Sequence, residues 1–269
     1  MEQNPIDIIR SFAEDHLECN LDNLITFDLK KLMKDEVYGC PNRKFDADDT
    51  TIMRAIYCVV FGSVWPNLSM DNSGNEKMRG DTMNSSATFF SYPWNDRFTP
   101  TWNPPAFLIK KIAEFQTTFH TVGNMTVLPD KRIDEWSINK HRGCHDEWHD
   151  YEDRFLYALY KVLTYQDDAD EDLEELVMLN RDDFNPFFGV DGWKRFIDGN
   201  MLEYYVDDNY LPVIKSKGYT WWRGGYTNKE RFFQEANRYI DDSTTIIKSR
   251  GKRIVNYIKA LVSTKNGRV

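Results

Sequence analysis

Residues 117–160 read TTFHTVGNMTVLPDKRIDEWSINKHRGCHDEWHDYEDRFLYALY, and this stretch is the most informative part of the sequence. Its apolar residues 125–128 are followed by Pro129-Asp130, which predicts a short strand ending in a turn. A helix is then predicted from about residue 145 to 162, because apolar side chains recur there at three- and four-residue steps. A strand, a polar turn and a helix in this order often form a pocket, so we expect functional residues here.

Amphipathic helices are also predicted on both sides of this segment. Their apolar positions recur at helical spacing in residues 5–19, 50–60, 104–119 and 229–262. Gly251 is expected to kink or interrupt the last of them. Residues 67–81, rich in Asn, Ser, Gly and charge, predict an exposed loop. The sequence predicts a mainly α fold, α+β with a small β element, as a single compact globular domain over 1–269 with a long C-terminal helix.

Composition restricts the classes of function. The net charge of −9 and pI near 5.1 argue against non-specific nucleic-acid binding, which depends on neutralising phosphates. The N-terminal residues lack the layout of a signal peptide, and no apolar run approaches the roughly 20 residues that span a bilayer. The four cysteines are widely spaced, which indicates free thiols. We expect a cytoplasmic protein without a membrane segment.

Four of the five histidines lie in the central stretch, but they do not predict a metal site. His145, His149 and Asp153 follow each other at four-residue steps along one helix face, an arrangement superficially similar to a zincin helix. In that motif a glutamate follows the first histidine, whereas this chain has Asp146, and no third ligand can be identified. We therefore interpret the histidines as structural and predict neither a metal nor a cofactor.

Two arginine–glycine pairs are better candidates for a binding site. Glycine after arginine permits a close backbone approach while the guanidinium projects and forks onto a phosphate or carboxylate. Arg79-Gly80 is followed by a carboxylate, an amide and hydroxyl groups. Arg142-Gly143 follows an amide and stands before a predicted helix N-terminus, which attracts anions. The alternative for Arg142 is a structural ion pair with Asp153 or Glu152.

The central stretch also resembles a known family. The matching residues are Thr121-Val122-Gly123-Asn124-Met125, Leu128-Pro129, Ile138-Asn139-x-x-Arg142-Gly143 and Asp153-Arg154-Phe155. They are similar to the T-I-G-G, F-P, I-N-x-x-R-G and D-R-[FW] core of an uncharacterised bacterial family, a domain of unknown function. Asn124 replaces the second glycine and Leu128 an aromatic residue. The resemblance implies a family-like core at about residues 103–262 and no particular activity.

These patterns predict a pocket that joins residues 79–86 to residues 139–154. It would bind an anionic small molecule, a nucleotide or another phosphoester, in either an enzyme or a binding domain. The ligand-binding residues would be Arg79, Asn84, Ser85, Asn139, Arg142 and Arg154. If the protein is an enzyme, Asp81 or Asp153 would be the acid–base group. The alternative is a non-catalytic interaction protein, an accessory factor of a bacterial or phage system that binds a protein partner through tryptophans such as Trp94, Trp102, Trp221 and Trp222.

Overall fold

The computed structural model describes residues 4–40, 46–71, 78–84, 105–134, 136–140, 152–215 and 228–266. Within them the protein is mainly α-helical, with one two-stranded antiparallel sheet, so the predicted fold class is confirmed. The helices are α1 (Pro5–His16), α2 (Thr51–Phe61), α3 (Ala106–Phe119), α4 (Glu152–Leu163), α5 (Glu171–Leu179), α6 (Arg181–Phe184), α7 (Val190–Gly199) and α8 (Lys229–Asn266). The strands are β1 (Met78–Thr82) and β2 (Met125–Pro129).

The helices begin where the sequence provides capping groups. Asn4 caps α1, and the Thr50 hydroxyl accepts a hydrogen bond from the amide of Met53 in α2. Asp170, which lies within the acidic run 167–175, caps α5 by accepting a hydrogen bond from the amide of Leu173. Helix α3 begins after Pro105 as predicted, but Phe107, which the periodic pattern placed on the apolar face, is exposed. The predicted start of α4 near residue 145 lies outside the described residues.

Strand β1 corrects the predicted loop over residues 67–81. Its sequence MRGDT has no β-branched apolar alternation, yet it pairs antiparallel with β2 from Met78 opposite Pro129 to Thr82 opposite Met125. Every residue of β2 is buried, whereas β1 is only partly covered. The strand pairing, which comes from residues about fifty positions away, therefore overrides the local loop composition.

The C-terminal helix organises the core. Helix α8 runs without a break from Lys229 to Asn266, so the predicted interruption at Gly251 is wrong. It packs against α3 and against the 3-10 turns Leu21–Ile25 and Val122–Asn124. Gly123 instead allows the close approach of the Val122–Asn124 turn to this part of α8, because a Cβ atom on Gly123 would lie 2.8 Å from the Gly251 nitrogen. No helix in the described ranges is long and apolar enough to cross a membrane.

Candidate functional site

Strand β1 carries the first group of predicted site residues and is fixed on both sides. Buried Arg54 of α2 donates from Nη1 to the carbonyl oxygen of Met78, at 2.9 Å, and β2 pairs along the whole strand. Side chains alternate along a strand, so Arg79 and Asp81 lie on one face of the sheet and Gly80 on the other. The strand therefore holds two predicted site residues side by side.

Arg79 and Asn139 come together although sixty residues separate them. The Asn139 side-chain amide donates to the Arg79 carbonyl oxygen, at 3.2 Å, and Asn139 is buried. The Arg79 side chain is 37% exposed, and its Nη1 lies 3.9 Å from Oδ2 of the buried Asp130. Among the described residues this guanidinium has no hydrogen-bonding partner, so its donors are open to a ligand.

On the opposite face, Gly80 allows β1 to pass directly over two buried polar groups. A Cβ atom at this position would lie 2.5 Å from Tyr57 Oη and 2.9 Å from Asp48 Cβ. Tyr57 Oη is completely buried and, in the described part of the chain, has no hydrogen-bond partner. Burial, followed by the charges of Asp48 and Asp81, raises the pKa of Tyr57 well above its usual value. Gly80 thus allows the backbone of β1 to lie close to Tyr57 and Asp48.

Asp48 is an acid that stays protonated at neutral pH. Burial raises the pKa of Asp48 to about 9, and the hydrogen bond and charge of Asp46 and the charges of Asp81 and Asp49 act in the same direction. Two neighbouring carboxyl groups cannot both ionise cheaply, so the proton stays on the more buried one. A neutral Asp48 is a proton donor beneath the strand that carries Arg79 and Asp81.

This ionisation makes the stability depend on pH. Between pH 3.8 and about 9 the folded state keeps a proton on Asp48 that the unfolded chain has lost, so stability falls as pH rises through this interval. We expect Asp48→Asn to raise the free energy of unfolding at about pH 8 by at least about 1.4 kcal/mol, because it removes this penalty. The gain should be much smaller at about pH 4. Urea unfolding at both pH values measures it, and an equal gain at both would contradict the assignment.

A second group of polar residues lies where β1 ends. Asn84 and Asn124 exchange hydrogen bonds: Asn124 Oδ1 accepts from the Asn84 amide at 2.9 Å, and Asn124 Nδ2 donates to the Asn84 carbonyl oxygen at 2.8 Å. The Asn84 side chain donates to Tyr205 Oη at 2.9 Å, so it points into the interior. Burial and then the charge of Glu152 raise the pKa of Tyr205 above its ordinary value. These contacts favour a structural role for Asn84.

The predicted residues after Asn139 are placed only in part. Asp153 lies in the first turn of α4, is buried, and accepts the backbone amide hydrogen of Arg154 at 2.9 Å. Its charge is close enough to contribute to the raised pKa of Tyr205, which links it to the Asn84 group. Ser85, Arg142 and the histidines 145 and 149 lie outside the described residues. In the described ranges no group of His, Cys, Asp or Glu is arranged to hold a metal ion.

Several polar residues near β1 were missed by the sequence interpretation. Asp48 and Tyr57 carry no local signal, because their environment is created by the distant strand β1. Asp130 and Arg132 lie in the turn directly after the predicted strand, a position where binding residues often lie. Arg132 Nη2 donates to Asp130 Oδ2 at 2.7 Å, the oxygen that Arg79 also approaches.

A separate cavity of about 390 Å³ lies between the C-terminal ends of α2 and α7 and the middle of α8. Its lining includes Val60, Val64, Met201 and Arg253, and none of the predicted site residues contributes to it. Arg253 is ion-paired with Glu203 at the surface. This cavity is therefore separate from the candidate site at β1.

Comparison with known proteins places the chain in a family without assigning an activity. No curated protein and no solved structure matches the chain. A family model described as a family of unknown function, DUF6994, matches residues 68–254, which include both strands and the helices from α3 to α7. Because this match covers well over half of the chain, the protein belongs to the DUF6994 family of unknown function.

Proposed function

We propose that the protein binds an anionic, hydrogen-bonding small molecule, a nucleotide or another phosphoester, at the β1 face, with Arg79 holding the anion. The observation that carries this proposal is the state of the Arg79 guanidinium. It is partly exposed, is anchored only by a 3.9 Å ion pair to Asp130, and has no hydrogen-bonding partner among the described residues. A guanidinium with open donors is suited to forked hydrogen bonds with phosphate oxygens.

The surroundings of Arg79 support a phosphoester. Asn139 is tied to the Arg79 backbone and fixes the second predicted segment beside it. Lys131 and Arg132 lie in the turn after β2, and Lys140 directly follows Asn139. Lys140 Nζ lies 5.9 Å from the ring centre of the exposed Trp136. Cations beside an exposed aromatic ring suit a ligand that has both phosphate groups and a planar base.

For acid–base chemistry, Asp81 is better placed than Asp153. Asp81 shares a sheet face with Arg79 and lies close enough to Asp48 to influence its pKa. Asp153 is buried and acts on Tyr205 instead. We propose that Asp81 is the group that would accept or donate a proton to a phosphoester bound at Arg79.

Thermal unfolding with ADP, AMP and pyrophosphate tests the binding proposal. A ligand at one hundred times its dissociation constant should add about 2.7 kcal/mol to the unfolding free energy and raise the melting temperature. Arg79→Gln should weaken binding of the same ligand by about tenfold or more, because a charge-assisted hydrogen bond is lost. Lys110→Gln is the control: it removes an equal charge from an 80% exposed side chain on α3 and should leave binding unchanged. An equal effect in both variants would show non-specific charge attraction.

A second candidate function is binding of a protein partner. Tyr204, Leu211 and Val213 are exposed apolar residues on a short chain reversal that is closed by pairing of Val206 with Pro212. Exposed apolar side chains concentrated on one turn are typical of an interaction surface. The tryptophans predicted to form such a surface, Trp94, Trp102, Trp221 and Trp222, lie outside the described residues. Absence of any melting-temperature shift across the ligand panel would favour this function.

A further inference from the structure

We propose that Arg79 and Arg132 form a two-arginine clamp that is positioned by the buried carboxylate of Asp130 and selects phosphate groups over carboxylates. This inference rests on the proposed function and deepens it by adding a second anion-binding residue and a ligand chemistry. Arg132 belongs to none of the motifs on which the binding site was predicted.

The two guanidinium groups converge on one oxygen atom. Asp130 Oδ2 accepts from Arg132 Nη2 at 2.7 Å and from Arg132 Nε at 3.2 Å, and it lies 3.9 Å from Arg79 Nη1. The Asp130 side chain is only 5% exposed, whereas the Arg79 and Arg132 side chains are 37% and 35% exposed. The carboxylate is therefore inside and both cations extend outward, so that one ligand group can contact both.

The clamp is held from two elements. Arg79 belongs to β1, and Arg132 belongs to the turn after β2, which pairs with β1 up to Pro129. Completely buried Asn180 fixes this turn: its Oδ1 accepts from the Lys131 amide at 3.1 Å and its Nδ2 donates to the Lys131 carbonyl oxygen at 3.4 Å. The relative position of the two arginines is thus set by the backbone before any ligand arrives.

The two guanidinium groups share one carboxylate. Among the ion pairs of the described residues, Asp130 is the partner of both Arg79 and Arg132. The other oxygen, Oδ1, is buried and has no hydrogen-bond partner in the described ranges. The buried charge of Asp130 is therefore compensated by the two arginines. An ordinary structural ion pair would need only one of them.

Phosphate fits this geometry better than carboxylate. A terminal phosphate group carries up to two charges and three acceptor oxygens, enough for hydrogen bonds from two guanidinium forks at once. A carboxylate has one charge and only two oxygens, so it matches one guanidinium fork and attracts a second one less strongly than a phosphate group does. The expected ligand class is thus a compound with a terminal phosphate or diphosphate group.

Calorimetric titration with pyrophosphate and with malonate, a dicarboxylate, tests the clamp. The wild-type protein should bind pyrophosphate at least about tenfold more tightly than malonate. Arg132→Gln should weaken pyrophosphate binding by about tenfold, as Arg79→Gln does, and reduce the preference over malonate. Lys110→Gln should bind like the wild type, and melting temperatures without ligand verify that every variant is folded.

Asp130→Asn separates positioning from charge. This substitution adds net positive charge to the site, so a purely electrostatic site would bind pyrophosphate more tightly. If Asp130 positions the clamp, affinity should fall about threefold or more and the preference over malonate should decrease. Tighter binding by Asp130→Asn would overturn the positioning role.

The outcomes distinguish the clamp from the proposed function. If Arg79→Gln loses binding while Arg132→Gln keeps wild-type affinity and selectivity, the clamp is wrong and a single-arginine site remains. If neither ADP nor pyrophosphate binds the wild-type protein, both the proposed function and the clamp are overturned.

Discussion

Arg250→Met is expected to lower the free energy of unfolding by about 3–5 kcal/mol. Arg250 is completely buried in the middle of α8 and donates to the carbonyl oxygens of Gly123, Met125 and Asn200, at 3.0, 2.5 and 3.2 Å. Methionine has a similar length but no donor, so three buried carbonyl groups lose this partner. The side chain therefore joins α8 to the start of β2 and to the end of α7.

The charge on Arg250 belongs to the folded structure at neutral pH. Burial lowers the pKa of Arg250 to about 10, which still leaves it protonated at pH 7. Arg253 is a matched control on the same helix: its side chain is 43% exposed and pairs with Glu203 at the surface. Arg253→Met should cost less than about 1 kcal/mol. Urea unfolding compares the two, and a loss below about 1 kcal/mol in Arg250→Met would contradict the structural role.

The second large effect is expected at the contact between two glycines. A Cβ atom on Gly123 would lie 1.9 Å from the Ile247 carbonyl oxygen and 2.8 Å from the Gly251 nitrogen, and both are backbone atoms of α8. They cannot move aside as a side chain does, so the 3-10 turn Val122–Asn124 and the helix must separate. Gly123→Ala should therefore destabilise the protein by about 3 kcal/mol or more.

Gly251→Ala should have the opposite result across the same contact. A Cβ atom there would meet its neighbours at 3.5 Å or more, which is ordinary van der Waals contact. Alanine also favours a helix interior over glycine by roughly 0.5–1 kcal/mol. We expect unchanged or increased stability, measured by urea unfolding beside Gly123→Ala. Equal losses of stability in Gly123→Ala and Gly251→Ala would show that the Val122–Asn124 turn does not approach α8 in this way.

Sequence periodicity predicted most helices because their apolar stripes and caps are local. Helices α1 and α2 begin at side-chain caps, α3 begins after Pro105, and the short strand β2 was predicted from four apolar residues before a Pro-Asp turn. Strand β1 was not predicted, because MRGDT becomes a strand only through pairing with β2 and the hydrogen bond from Arg54. Local composition has no information on either contact.

The candidate site was predictable only as a set of residue types. The Arg79-Gly80 pair predicted a binding segment at the position of β1, and Asn139 was predicted to lie in the same pocket. The hydrogen bond between Asn139 and Arg79 joins residues that are sixty positions apart. The carboxylate that organises the arginines, Asp130, had a weak signal in its position after a predicted strand. Asp48 had none, because its raised pKa arises from burial under β1 and from Asp46, Asp81 and Asp49. Such an environment exists only in the folded chain.

Calorimetric titration of ADP into the wild-type protein and into Arg79→Gln is the decisive measurement for the proposed anion site. The proposed site depends on the donors of the Arg79 guanidinium, which has no hydrogen-bonding partner among the described residues. We expect saturable binding of one ADP per chain and a dissociation constant at least about tenfold higher in Arg79→Gln. ADP binding of equal affinity in both proteins, or no binding to the wild type, would show that Arg79 does not hold the anion.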